Sequence, residues 1–460
     1  MSISAVLKQA GHECELFIEP AEKNLIEAIS AEKPDVVGFS ATTGTHLWAL
    51  QRAKEIKEKL GLAVIFGGPH ATYFPEIIED KNVDMVCVGE GEGAVLELFN
   101  KLKNKEDVTN IKNLWVKKDG VIYKNEIRPL IQELDALPFP DRSLYYGRYD
   151  FLEHQNSREF ILMRGCPYRC SFCYNHSMQK MYAGKGEYVR YKTVDRAVEE
   201  LLDVKNKWGL GSAMIFDEVM FLNKEWLFSF LKQYKEKINV PFACEARANL
   251  LDEEICEKLK EAGCICVRIG LESGSNKIRN EVLKKNLQDE QIEKAARLLK
   301  QEKILLETYN MVGLPRETLE DAFETLSFNK KIKADYAWCS IYQPYPKTDL
   351  AELAVADGIL DKEFWNNLDP SFFITTQMRI ENKNEIINLQ KFFALAVRFN
   401  IPNFVVRWLI KLPPNKIYNF IFKAGYVYLT LKTTRMGIKG IYKLGKLTNN
   451  YFEKKNIAAS

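Results

Sequence analysis

Alternating apolar and polar stretches divide the first 125 residues into strands and helices. Short runs rich in Val, Ile and Phe are separated by helical stretches whose apolar positions recur every three or four residues. We predict strands at residues 15–18, 35–40, 63–68 and 84–89, and helices at residues 21–30, 45–60 and from residue 94 onward. Strands that alternate with helices are typical of a parallel, doubly wound sheet in an α/β fold.

Small and polar residues follow three of these strands, at residues 40–43, 67–72 and 89–93. Ligands of doubly wound sheets bind at the carboxyl ends of the strands, where glycine lets the backbone approach a large planar ligand. The candidate ligand-binding residues are Ser40, Thr42, Gly67, Gly68, His70, Gly89, Glu90 and Gly91. Each loop alone is a weak signal, and His70 by itself could equally be an ordinary polar loop residue.

Residues 126–150 separate this region from a second series of strands and helices. Their proline density, as in the run 137–142, predicts a connector between domains. From residue 160 the β/α alternation resumes, which predicts a partial (β/α) barrel over residues 151–345. Functional residues of such barrels gather at the carboxyl ends of the strands.

Five predicted barrel strands end in polar or charged residues. The strands occupy residues 160–163, 213–216, 242–247, 266–270 and 308–312. They lead to a cysteine-rich loop, Asp217 with Glu218, Arg247, Glu272 with Ser273, and a Gly-Leu-Pro turn at residues 313–315. One carboxylate after a strand is often a helix N-cap, but five polar ends in register indicate a site.

The C-terminal region, residues 346–460, is predicted to contain a helical cap at residues 349–368 and a basic aromatic tail. From residue 401, eleven Lys or Arg accompany a single acidic residue, Glu453, whereas the whole chain carries a formal charge of only +3. Aromatic residues are interspersed among these cations: Phe404, Trp408, Tyr418, Phe420, Phe422, Tyr426, Tyr428, Tyr442, Tyr451 and Phe452. This composition suits an anionic membrane surface or an amphipathic subdomain packed on the barrel. A nucleic-acid surface is the least favoured interpretation, because no nucleic-acid motif is present.

Cysteine usage indicates a reducing compartment. The chain has ten cysteines and no secretory leader, so we expect a cytoplasmic protein. No apolar run is long enough to predict a spanning helix. Five scattered cysteines have apolar neighbours and are interpreted as buried free thiols: Cys244, Cys256, Cys264, Cys266 and Cys339.

Three other cysteines, Cys166, Cys170 and Cys173, form a C-x3-C-x2-C run directly after an apolar strand. Cysteine thiolates hold iron–sulfur clusters, and four of them complete the coordination of a cubane. Three leave one iron open to an outside ligand, which indicates a catalytic cluster. Zinc is the alternative, with His176 as a fourth ligand, but zinc sites often use two C-x2-C pairs.

This spacing, with Phe172 just before the last cysteine, resembles the radical S-adenosylmethionine (radical SAM) enzymes. The resemblance implies a 4Fe–4S cluster whose open iron binds S-adenosylmethionine, and a reductant such as flavodoxin or ferredoxin. From their positions after the strands we expect Asp217 and Glu218 to hold the ammonium of S-adenosylmethionine and Arg247 to pair with a carboxylate. Glu272 matches the family's ribose-contacting glutamate, and Phe172 and Ser273 are further candidate contacts. Arg316 and Lys347 stand where the family usually has glycine, so the turns there are in question.

The loops with Gly11-His12, Gly67-Gly68-Pro69-His70 and Gly89-Glu90-Gly91-Glu92 resemble the cobalamin-binding domain of one radical SAM class. The resemblance implies a flavodoxin-like fold whose loops face the corrin ring. No Asp-x-His-x-x-Gly motif is present, so we expect cobalt without a protein histidine ligand. The chain starts inside the family's first helix, at residues 2–11. We therefore expect a truncated reading of a longer protein, lacking the first strand of the sheet.

The resemblance implies a cobalamin-dependent radical SAM enzyme that methylates an unactivated carbon, and the basic aromatic tail suggests a lipid-like substrate. A cyclase or ring-rearranging enzyme similar to the anaerobic magnesium-protoporphyrin monomethyl ester cyclase is the alternative. A methylthiotransferase is less favoured, because those enzymes typically carry cluster cysteines in the N-terminal domain. A non-enzymatic cobalamin sensor with a structural cluster is the third possibility.

Overall fold

The computed structural model describes residues 1–153, 155–368 and 373–434. Two large sheets organise it: a five-stranded sheet in the first part of the chain and a six-stranded sheet in the second. The basic tail from residue 435 onward, with Tyr442, Tyr451 and Phe452, lies outside the described residues.

The first sheet has the order β1-β2-β3-β4-β5, in which β1, β2 and β3 are parallel and β4 and β5 antiparallel. Its elements are α1 Ser2–Gln9, α2 Leu25–Glu32, β1 Val36–Ser40, α3 His46–Leu60, β2 Ala63–Gly67, α4 Gly68–Tyr73, β3 Met85–Cys87, α5 Glu92–Lys103, β4 Leu114–Lys118 and β5 Val121–Lys124. The predicted parallel core is therefore confirmed for three strands, and an antiparallel hairpin extends it.

The prediction of a strand at residues 15–18 was wrong. A strand needs a hydrogen-bonded neighbour, and β1 is the edge of the sheet, paired only with β2 among the described residues. The segment instead follows the connector, where the Ile18 amide donates to the Tyr149 hydroxyl at 2.8 Å.

The β4–β5 hairpin was missed, although the sequence carries a signal for it. Asp119-Gly120 lies between apolar runs and both residues have positive φ, 51° and 78°. Asp-Gly is the preferred pair for a two-residue hairpin turn of this kind.

The second sheet is entirely parallel, with the order β13-β12-β11-β10-β9-β6, and curls into a half barrel. The elements of this part of the chain are α6 Ser143–Tyr146, α7 Asp150–Glu153, β6 Ser157–Phe160, β7 Met163–Arg164, α8 Tyr174–Met181, β8 Arg190–Tyr191, α9 Val194–Trp208, β9 Ser212–Ile215, α10 Lys224–Gln233, β10 Phe242–Ala246, α11 Glu253–Ala262, β11 Cys264–Glu272, α12 Asp289–Gln301, β12 Leu305–Val312, α13 Leu319–Lys331 and β13 Tyr336–Ile341. The short strands β7 and β8 lie outside the half barrel and pair with each other as a separate antiparallel ribbon. The predicted partial barrel is confirmed, and β13 is an additional strand.

One apolar residue from each covering helix illustrates how the barrel core is built. These residues are Leu201, Phe230, Leu259, Leu299 and Leu326, on α9 to α13 respectively, and all belong to one buried cluster with the sheet. Burial of such side chains contributes about 1.5–3 kcal/mol each. The five predicted buried thiols, Cys244 to Cys339, are confirmed as buried and free.

The C-terminal region is helical: α14 Asp349–Ala356, α15 Lys383–Arg398, α16 Asn403–Ile410 and α17 Lys416–Thr434. The predicted cap helix at residues 349–368 is shorter than expected and ends at Ala356. Its start contacts the cysteine loop, since the Leu350 amide donates to the Ser171 carbonyl at 2.9 Å. None of the helices described here is long and apolar enough to cross a membrane.

Two turns tolerate the missing glycines. Arg316 and Lys347 both adopt left-handed backbone, with φ of 61° and 62°, which is strained for a side chain with a Cβ. Arg316 compensates with a two-pronged ion pair to Asp357, at 2.7 and 2.8 Å. Lys347 donates to the carbonyl of Tyr73, so its side chain connects the two halves of the protein.

The buried carboxyl group of Glu317 is expected to make the stability of the folded protein depend on pH. One carboxylate oxygen accepts from the amides of Gly313 and Leu314, and the other is buried without a hydrogen-bond partner among the described residues. Burial raises the pKa of Glu317 to about 8. Because the folded pKa exceeds the unfolded value, the stabilisation is full below about pH 4.5 and is lost as pH rises through 8. We expect the melting temperature of the wild type to fall by several degrees relative to Glu317→Gln over this range.

Thermal unfolding under anaerobic conditions measures this difference. Glu257→Gln, at an exposed position on α11, is the matched control and should follow the wild type at every pH. Parallel curves for the wild type and Glu317→Gln would contradict the assignment.

Candidate active site

The cysteine loop connects β7 to α8 at the mouth of the half barrel. Gly165, just before it, has φ of 90°, and a Cβ there would lie 2.1 Å from the Tyr188 carbonyl oxygen, so only glycine fits. The Cys173 amide donates to the Cys170 carbonyl at 3.1 Å, and Gln179 of α8 donates to the Cys166 carbonyl at 2.5 Å. These contacts shape the loop through its backbone carbonyls, and the Asn175 side chain also donates to the Cys173 thiol at 3.8 Å.

The three thiols lie close enough to influence one another. Burial raises the pKa of Cys166 to about 12, and the charges of Cys173, Glu218 and Cys170 add to this effect. None of the three forms a disulfide. Among the described residues, no three His, Cys, Asp or Glu side chains are already placed so that they could hold one metal ion. The thiolates need the positive charge of the metal itself, so the donor set fits an iron–sulfur cluster.

The two adjacent carboxylates, Asp217 and Glu218, occupy different environments. Asp217 is buried and accepts from the amides of Leu162 and Met163 at 2.6 and 3.1 Å, and burial raises its pKa to about 7. It therefore connects β9 to the start of the cysteine loop. Glu218 is exposed, and accepts from Asn175 at 3.1 Å. Of these two residues, Glu218 is the one that presents an accessible carboxylate beside the thiols, which suits an ammonium group.

Glu272 and Arg247, at the ends of β11 and β10, share a loop partner that the sequence did not indicate. Lys285 Nζ lies 3.1 Å from Glu272 Oε1, and the Lys285 carbonyl accepts from Arg247. The Arg247 guanidinium also stacks at 3.9 Å over the ring of Tyr168 in the cysteine loop. The Lys285 ammonium lies 5.8 Å from the ring of Phe172. The structure thus brings these predicted residues together on one side of the cysteines.

Ser273 differs from its neighbour Glu272. It is fully buried, and its hydroxyl lies 3.3 Å from that of Thr325 on α13. The structure gives it a packing role, and its contact with a cofactor stays a prediction. The alternative zinc ligand, His176, has Nε2 at 3.4 Å from Asp349.

The three predicted ligand loops of the first sheet meet at one edge, the edge formed by the carboxyl ends of its parallel strands. The first two are joined by hydrogen bonds: the Ala41 amide donates to the Gly67 carbonyl, and the His70 amide to the Ala41 carbonyl, both at 2.9 Å. The segment after β2 is the short helix α4 rather than the predicted loop. Ser40 and Thr42 are exposed, whereas Gly67, Gly68, Gly89 and Gly91 are partly exposed. Small residues along a sheet edge fit a broad, flat ligand such as a corrin.

His70 is buried at this edge. Its ring stacks on His46 with centroids 3.8 Å apart, and Nδ1 lies 3.1 Å from the Thr43 hydroxyl. Burial, with the nearby His46 and Lys347, lowers its pKa to about 3. The imidazole is therefore neutral at physiological pH.

This edge faces the cysteine loop across a domain interface. Tyr73 donates to the carbonyl of Tyr174 at 3.0 Å, and the Glu90 amide donates to the Tyr182 hydroxyl at 2.9 Å. Tyr174 and Tyr182 lie at the two ends of α8, the helix that follows Cys173. The two candidate cofactor sites therefore open toward each other.

An ion-pair network crosses the same interface. Glu90 pairs with Arg164 at 3.0 Å and with Arg190 at 2.9 Å, and Arg164 also pairs with Glu92 at 2.6 Å. Burial alone would raise the pKa of Glu90, but hydrogen bonds from Arg190 and the Ile131 amide hold it below its usual value. The sequence predicted Glu90 as a cobalamin contact, and that role stays a prediction beside the ion pairs observed.

Two family models match the chain: the radical SAM superfamily over residues 160–328 and the B12 binding domain over residues 1–99. An uncharacterised methyltransferase of Pyrococcus horikoshii is 31% identical over 361 residues, covering 75% of this chain and 76% of that protein. The anaerobic magnesium-protoporphyrin IX monomethyl ester cyclase of Rubrivivax gelatinosus is 26% identical, covering 85% of this chain and 72% of the cyclase.

A solved structure with the same fold is the radical S-adenosylmethionine methyltransferase TsrM from Kitasatospora setae, with cobalamin and a 4Fe–4S cluster bound. It aligns with a TM-score of 0.62 at 18% identity, over 78% of this chain and 74% of that chain. At this identity the similarity shows a shared fold over most of the chain.

The cysteines can be tested by metal content. We expect Cys166→Ala, Cys170→Ala and Cys173→Ala each to lose most of the iron after anaerobic reconstitution, from about four irons per chain, together with the visible charge-transfer absorption. Cys14→Ala changes a partly buried thiol that is distant in sequence from the cysteine loop, and this variant should retain the iron and the absorption. Full iron content in all three loop variants would refute the ligand assignment.

The interface network predicts a stability effect. We expect Glu90→Gln to destabilise the protein by about 3 kcal/mol, since it leaves the buried Arg190 without its carboxylate. Glu293→Gln, which removes an exposed partner of Lys331, should cost less than about 1 kcal/mol. Urea unfolding in the absence of added cobalamin measures both variants, and equal effects would argue against a special role of the network.

Proposed function

Because the chain belongs to the radical SAM superfamily and carries a B12-binding domain, we propose that it methylates an unactivated carbon of a small molecule. Its cofactors are a 4Fe–4S cluster, S-adenosylmethionine and cobalamin, and an external reductant supplies the electron. The proposal is supported by the position of the two candidate sites, which face each other. Glu90, in the third loop of the first sheet, contacts Arg164 just before the cysteine loop and Tyr182 at the end of the helix that follows it.

The bound cofactors supply a reactive carbon radical and a transferable methyl group, while the protein binds and orients them. Cys166, Cys170 and Cys173 would ligate iron, and the exposed Glu218 would accept hydrogen bonds from the ammonium of S-adenosylmethionine. Glu272 would accept from its ribose hydroxyls, with Lys285 holding the carboxylate in place.

The first-domain residues would form the floor under the corrin. Ser40 and Thr42 would offer small exposed side chains there, and the partly exposed Gly67 and Gly68 would offer backbone, whereas Gly89 packs closely against the Tyr182 hydroxyl. His70, neutral and buried against His46, would support this floor from below without adding a charge. The tight contacts between Tyr73 and Tyr174 and between Lys347 and Tyr73 would exclude water from the space between the cofactors.

A cyclase is the second candidate, and the relative from Rubrivivax gelatinosus supports it by covering 85% of this chain. Both candidates share the cofactors and differ in the fate of the methyl group.

We further propose a lipid-like substrate, because the basic aromatic C-terminal helices offer a surface suited to lipid.

Product analysis tests the proposal. We expect the anaerobically reconstituted protein, given cobalamin, reductant and candidate lipids, to form both 5′-deoxyadenosine and S-adenosylhomocysteine, and to transfer methyl label from S-adenosylmethionine into product. Unlabelled, ring-closed product would identify a cyclase. Absence of any S-adenosylmethionine cleavage would favour a cobalamin sensor and would sink both enzymatic candidates.

A further inference from the structure

The last two helices expose a set of large apolar side chains. Phe404, Trp408, Ile417 and Phe420 are 74%, 67%, 68% and 71% exposed, and Leu412 between the helices is 45% exposed. We call these five residues the C-terminal apolar face. Single exposed apolar residues are ordinary, but a concentration of this kind in two consecutive helices marks an interaction site.

The helical geometry places these residues away from the body of the protein. Phe404, Trp408 and Leu412 are spaced by four residues and so line one side of α16 and its end. The other side of α16 buries Val406 and Ile410 in the barrel core cluster. Both the apolar face and the buried side are therefore accounted for by one helix orientation.

The second helix repeats this arrangement. In α17, Tyr418 is buried and donates to the Leu409 carbonyl at 2.9 Å, and Gly425 packs on Leu395 of α15. Ile417 and Phe420 are then left on the outer side. Both helices thus bury one side in the protein and expose apolar residues on the other, and they follow each other in the chain with Leu412 exposed between them.

Unpaired cations accompany the apolar face. Lys411, Lys416 and Lys423 are exposed, and none forms an ion pair with a residue that the structure describes. Arg407, by contrast, is neutralised by Glu320. The sequence has no Asp or Glu between Glu385 and Glu453, so nothing nearby in the chain offsets these charges.

The tail aromatics divide into two groups. Tyr418 is buried, and Phe422 and Tyr426 pack on Phe373 and Trp338 at ring distances of 5.3 Å, as expected for a subdomain packed on the barrel. The C-terminal apolar face lacks such a role. It mixes aromatic with aliphatic side chains and is flanked by lysines, which suits acyl chains beneath anionic headgroups better than stacked bases.

We propose that the C-terminal apolar face docks on an anionic lipid bilayer. Phe404, Trp408, Ile417 and Phe420 enter the headgroup region, and Lys411, Lys416 and Lys423 contact the anionic headgroups. Docking would bring the protein to the membrane, where the lipid-like substrate of the proposed function is found. The inference rests on the proposed function only for this biological purpose. The docking itself depends on these residues alone.

Liposome flotation of the full-length, anaerobically reconstituted protein tests the docking. Vesicles of phosphatidylcholine alone are compared with vesicles that also contain phosphatidylglycerol. We expect the wild type to float with the anionic vesicles, and a Trp408→Ala/Phe420→Ala variant to lose flotation. A Lys411→Gln/Lys416→Gln/Lys423→Gln variant should bind anionic vesicles about fivefold more weakly per lysine removed.

A Val121→Ala/Tyr123→Ala variant, which removes exposed apolar residues of the β5 strand, is the matched control and should float like the wild type. All variants change exposed positions, so unchanged melting temperatures verify folding. Failure of the wild type to float, or equal flotation of all variants, would overturn the proposal. Loss of binding to a single-stranded oligonucleotide in the same variants, without any vesicle binding, would assign the face to nucleic acid instead.

The two proposals can fail separately. Flotation is measured without substrate or turnover, so an unsuccessful methylation assay leaves its result intact. Conversely, methyl transfer to a water-soluble substrate by a protein that does not float would retain the proposed reaction and remove the docking surface.

Discussion

The contact between Glu90 and the two arginines Arg164 and Arg190 joins the functional edges of two sheets. Parallel strands place their functional loops at one edge only, so two such domains can share a site only if those edges face each other. Glu90 lies in the third loop of the first sheet, and Arg164 lies two residues before Cys166. A buried charge needs a partner across the interface, and this requirement favours a single relative orientation of the domains.

Burial then assigns different roles to residues that look alike in the sequence. Asp217 and Glu218 are adjacent carboxylates, yet one is closed off by two backbone amides and the other is open beside the thiols. Glu272 and Ser273 divide in the same way, since Glu272 meets Lys285 whereas Ser273 packs on Thr325. Asp217 and Glu218 follow β9, and Glu272 ends β11 with a left-handed φ of 67°. The backbone turn at the end of each strand therefore directs one residue toward the mouth and its neighbour into the core.

The C-terminal helices have a buried and an exposed side that composition alone could not separate. One side of α16 and α17 completes the barrel core through Val406, Ile410 and Tyr418. The other side carries exposed aromatic residues and lysines without described partners. Helical periodicity allows this division because residues three or four apart share a side.

The sequence by itself determined the parallel barrel strands, the cysteine loop at their mouth and the small residues after β1, β2 and β3, because these depend on local periodicity and spacing. It could not determine that residues 15–18 would lack a strand partner, or that Lys285 would reach Glu272. Nor could it decide which tail aromatics are buried, such as Tyr418, and which are exposed, such as Trp408. Those outcomes depend on contacts between residues distant in the chain, which only the tertiary structure brings together.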